Sequence, residues 1–80
     1  MNKDLARQMI RLNFRCSREL QELMVLLKEQ LSADEYKNHA KNIATAIAAT
    51  GEALTNTALS SFPELENEIE ANLSKYGRFL

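Results

Sequence analysis

Residues 42–61 hold one charged side chain, Glu52, in twenty positions. The rest of NIATAIAATGEALTNTALSS is six alanines, four threonines, two serines, two asparagines, one glycine and only four larger aliphatics. An ordinary amphipathic helix shows water a charged face. A helix of this composition shows small, uncharged groups nearly all round. It therefore needs neighbours on more than one side, and the stretch points to self-association or a partner.

The support has to come from association because other supports are missing. Eighty residues make one small helical domain, 1–80, whose core is marginal at this length. Small scaffolds add disulfides, a metal or oligomerisation. One cysteine, Cys16, allows no intrachain disulfide, and a single His and Cys far apart in the chain make no metal site. An apolar content of 45% argues against disorder. The net charge of −1 predicts no general attraction to nucleic acid or membrane. No signal-peptide pattern opens the chain, and residues 42–61 are too polar to span a bilayer. A lone cysteine suits a reducing, cytoplasmic setting.

The predicted fold class is all-α. Two glycines and one proline leave few breaks, and helix-forming residues dominate. The first helix is expected over residues 3–31, with an apolar stripe Leu5, Met9, Leu12, Cys16, Leu20, Leu23, Leu27 and Leu31 that repeats every eleven residues. Ser32 and Glu35 form a capping box that starts a second helix over 33–61. Its stripe is Tyr36, Ala40, Ile43, Ile47, Gly51, Leu54, Ala58 and Phe62, with the same spacing. Equal stripes joined by a tight turn predict an antiparallel helical hairpin. Gly51 marks either a close crossing or a kink. A second S-x-x-E signal, Ser61 to Glu64 with Pro63 in the first turn, predicts a short third helix over 63–75, with Gly77 as its C-cap. The tail, Arg78, Phe79 and Leu80, either packs or frays. The expected assembly is a homodimer of hairpins in a four-helix-type bundle.

Two surfaces are candidates for function. Ile10, Phe14, Met24 and Val25 lie off the leucine stripe and, with Thr45, Ala49 and Asn56 on the uncharged back of the second helix, form an expected oligomer or partner interface. The basic row Lys3, Arg7, Arg11, Arg15 and Arg18 follows one face of the first helix. From Arg7 to Arg18 it is a candidate face for an anionic partner, nucleic acid included. Alternatively, Arg15 and Arg18 pair locally with Glu19 and Glu22, or the basic start meets the acidic third helix with its Glu64, Glu66, Glu68 and Glu70. The slightly acidic chain disfavours the nucleic-acid reading.

His39 with Lys41 resembles the helical phospho-accepting histidine of phosphotransfer domains, which place a lysine three positions on, followed by glycine. Here the lysine is two positions on and Asn42 follows. Cys16, within the leucine stripe, is expected to be a buried, inert thiol. Glu52 reads as a surface glutamate. No catalytic carboxylate pair, metal set, phosphate loop or nucleophile triad is present, so no enzyme activity and no cofactor are expected. The expected function is a non-enzymatic helical protein that works by protein–protein contact and self-association. A small nucleic-acid-binding regulator is the alternative.

Overall fold

The chain first reverses at Ser32, where two local hydrogen bonds decide the geometry. The Ser32 hydroxyl accepts from the Glu35 amide at 3.3 Å, and the Glu35 carboxylate accepts from the Ser32 amide at 3.4 Å. This capping box ends one helix and starts the next. The computed structural model describes residues 1–80, and all its regular structure is helical.

Helix α1, Lys3–Gln30, is capped by Asn2, whose side-chain oxygen accepts from the Leu5 amide at 2.7 Å. Helix α2, Ala33–Gly51, runs without a break into a π-helical turn, Glu52–Asn56, and then α3, Thr57–Ser61. Gly51 has ordinary helical angles, and the helical run continues through it into the π turn. The chain breaks at Phe62, which leaves the helical region (φ −136°, ψ 75°) because Pro63 excludes that region for the residue before it. Helix α4, Leu65–Tyr76, therefore starts two residues later than the 63–75 expectation, and Ser61 remains inside α3. The second capping signal makes no cap: no side chain caps α4. At its other end Gly77 takes the left-handed conformation expected of it (φ 72°), which few other residues adopt without strain.

Helix α1 packs along α2 and α3, and the start of α1 meets the end of the second helical run. Ala6, Ile10, Ala58, Leu65 and Phe79 form the buried cluster, flanked by Met9, Phe14, Leu59, Phe62 and Ile69. The core thus lies at one end, among α1, α3, α4 and the tail. The tail packs, with Phe79 in the core.

The stripe expected for the second helix, which runs through α2, the π turn and α3 to Phe62, is inward as expected: all eight positions are buried or half-buried. The α1 stripe is corrected. Leu5, Leu12 and Leu23 are 51, 40 and 44% exposed. The inward residues are Ala6, Ile10, Asn13, Ser17, Leu20, Met24, Leu27 and Leu31, all buried or half-buried. Their steps alternate strictly between four and three, the heptad spacing of helices that wrap one another. The expected stripe jumped between this inner seam and an outer one shifted by one residue. The outer seam is Leu5, Met9, Leu12, Cys16, Glu19, Leu23 and Leu26. The π turn also gains a reason. Facing a heptad seam, α2 keeps step through Thr50 and Leu54, and Ala58 then comes one residue late. A wider π turn absorbs one residue, and both Leu54 and Thr55 remain half-buried at it.

Candidate anion cleft and contact face

The basic row of α1 divides in two. Its first members are neutralised within the chain. Lys3 pairs with Glu64 at 3.2 Å, and Arg7 donates to both carboxylate oxygens of Glu68, at 2.9 and 3.0 Å, and to Asp4 at 2.8 Å. The basic start and the acidic third helix therefore meet within one chain. Hydrogen bonding from Arg7 holds the Glu68 carboxyl below the ordinary carboxylate range. The Glu64 carboxyl is lowered first by its own backbone amide and then by Lys3. Arg7 in turn is raised, chiefly by its hydrogen bond to Glu68. With two carboxylates around it, Arg7 is withdrawn from the candidate anionic-partner face.

No carboxylate side chain pairs with the remaining arginines. Arg11 donates to the Leu80 carbonyl oxygen at 2.8 Å and lies over the Phe79 ring, 5.8 Å from its centroid. Arg15 and Arg18 are exposed and form none of the hydrogen bonds or ion pairs in the molecule, so the expected pairs with Glu19 and Glu22 are absent. A fourth arginine joins them. The reversal at Gly77 sends the tail back over α1, where Phe79 packs against Phe14 with centroids 6.2 Å apart. Arg78 is carried to the row, and Arg11, Arg15, Arg18 and Arg78 line one open cleft of about 330 Å³ with Phe14 and Phe79. Sequence reasoning missed Arg78, because only the tertiary reversal brings it there.

A second cleft of about 440 Å³ adjoins the first and shares Phe14, Arg18 and Arg78. Asn13, Ser17 and Gln21 supply polar groups to it. Asn13 is buried, donates to the Thr55 hydroxyl at 2.7 Å, and leaves its Oδ1 without a partner. An unsatisfied buried acceptor costs about 1–3 kcal/mol. Asn13 was also missed; a polar residue between Ile10 and Ser17 in the inner seam is the signal that could have found it.

The expected interface residues scatter. Ile10 is fully buried inside the chain, a correction to its place on a contact surface, because α3, α4 and the tail close over it. Phe14 is half-buried against Phe79, and Met24 is half-buried on the inner seam. Val25, Thr45, Ala49 and Asn56 are exposed. The exposed apolar band of α1 is instead the outer seam, where Leu26, at 52%, adds to Leu5, Leu12 and Leu23. Cys16 is half-buried on that seam and not in the core, while His39 and Glu52 are exposed. No helix is long and apolar enough to cross a membrane. No family model, curated protein or solved structure matches this chain.

Proposed function

We propose that this chain works without catalysis, by protein–protein contact, and that its first partner is a second copy of itself. In this reading two antiparallel hairpins pair into a four-helix-type bundle through the outer seam of α1, with the uncharged back of α2 alongside.

The observation that carries the proposal is the outer seam. It has the alternating four-and-three spacing of a helix-pairing surface, with Glu19 as its one charge, and its leucines stand about half exposed. The surface area agrees. The chain exposes 5629 Å², whereas a compact monomer of 9.1 kDa exposes about 4,900 Å². The excess of roughly 700 Å² approaches the ~800 Å² that each partner contributes to a standard interface. The molecule is also extended: its radius of gyration is 14.7 Å, against about 11.6 Å for a compact chain of this length.

The test is light scattering on the protein and on the double variant Leu12→Glu/Leu23→Glu. Both residues are exposed in the single chain, so the variant keeps its helical circular dichroism. The reading predicts that the parent is a dimer and the variant a monomer. Unchanged mass in the variant sinks the assignment of the seam.

A further inference from the structure

We propose that the four-arginine cleft binds a compact anion carrying at least two phosphate groups, of the size of a nucleoside di- or triphosphate or an inorganic oligophosphate. This goes beyond self-association and uses a different face.

Three observations meet here. First, Arg11, Arg15, Arg18 and Arg78 line one cleft with no carboxylate side chain among its lining residues; the main-chain oxygen of Leu80, also in the lining, accepts from Arg11 alone. Like charges three and four residues apart on a helix oppose one another, and nothing within the chain relieves Arg15, Arg18 or Arg78. Guanidinium groups offer forked donors that match phosphate oxygens. Second, the patch is short. From Arg11 to Arg18 is seven residues, about 10 Å of helix. Arg7, one turn before, is already occupied by Asp4 and Glu68. Glu22, one turn after Arg18 on the same side, is an exposed carboxylate. A long phosphodiester strand following this row meets negative charge at both ends, whereas a compact ligand does not. Third, the adjoining cleft is uncharged apart from the shared arginines, with Ser17 and Gln21 among its lining residues. It offers space and polar groups to the uncharged portion of a nucleotide.

The test is isothermal titration calorimetry of the full chain at low salt with inorganic tripolyphosphate, with ATP and with a single-stranded thymidine 20-mer. The expected result is one compact ligand per chain, weakened by added salt. Arg15→Ala and Arg18→Ala should each weaken it at least about tenfold. Neither side chain makes a hydrogen bond, so circular dichroism should be unchanged. Lys41→Ala, a charge removed from the exposed side of α2, should leave binding unaltered. ATP binding more tightly than tripolyphosphate identifies a nucleotide as the source of the phosphates, and equal binding identifies an inorganic oligophosphate. No binding of either, equal weakening by Lys41→Ala, or tighter binding of the 20-mer than of both compact anions overturns the proposal; the last result assigns the face to nucleic acid.

Discussion

The two ends of the molecule are built differently. At one end α1, α3, α4 and the tail enclose Ala6, Ile10, Ala58, Leu65 and Phe79, and ion pairs from Lys3 and Arg7 tie α4 to α1. At the other, α1 and α2 lie alone beside each other. No residue of α2 is fully buried, and none of α1 is after Asn13. Both ends use an inward heptad seam on α1, yet only the end with a third element closes. The difference teaches that two amphipathic helices of this composition do not make a core, because alanines on α2 bring little apolar area and the leucines of α1 keep one side in water.

The sharpest way to break this comparison is to truncate one core residue at each end. Leu65→Ala removes a fully buried side chain and should cost about 2–5 kcal/mol in urea unfolding. Ile43→Ala, at a half-buried site facing α1, should cost only about 1 kcal/mol at a dilution where the chain is single. At high micromolar concentration its cost should rise toward that of Leu65→Ala as a second copy closes the open end, and a cost that stays small there would count against that closure.

A smaller effect lies at the junction of the ends. A methyl group added at Gly51 meets only the Asn13 amide nitrogen, at an ordinary 3.9 Å. Gly51→Ala should therefore stabilise by about 0.5–1 kcal/mol, through the lower helix propensity of glycine. Destabilisation by a similar amount would show that the helices approach more closely there.

The smallest effect is electrostatic and confined to the closed end. The Glu64 and Glu68 carboxyls are held below their ordinary range in the folded chain. As pH falls, the unfolded state therefore takes up protons first. Their contribution is whole above the ordinary glutamate value of about 4.3 and is lost as pH falls through the lowered folded values. Thermal midpoints should drop on acidification, and Glu68→Gln should lessen the drop. The pair is partly exposed, so the change is modest.

The sequence made α2 legible and half of α1 illegible, for one physical reason. On the second helical run, from α2 through α3, the large residues are few, so Tyr36, Ile43, Ile47, Leu54 and Phe62 could only point inward. On α1 leucines sit on two neighbouring seams. Reading by hydrophobicity favoured Leu5, Leu12 and Leu23 over Ala6, Asn13 and Ser17, which are the residues that let α1 approach its neighbours. The capping box and the Gly77 cap are local and were readable; the packing of Phe79 is not, because no periodicity continues past Gly77. The arginine cleft was half visible. Its row follows from helical spacing, but the loss of Arg7 to Glu68 and the arrival of Arg78 are both products of the tertiary fold.

The central claim is that the open end and the outer seam are completed by a second copy. Sedimentation equilibrium of the unmodified chain, from low to high micromolar concentration, tests it most directly. The account predicts a species of twice the 9.1 kDa chain mass, dissociating on dilution with a matching fall in thermal stability. A single 9.1 kDa species at every concentration, unfolding cooperatively at a midpoint independent of concentration, would contradict it.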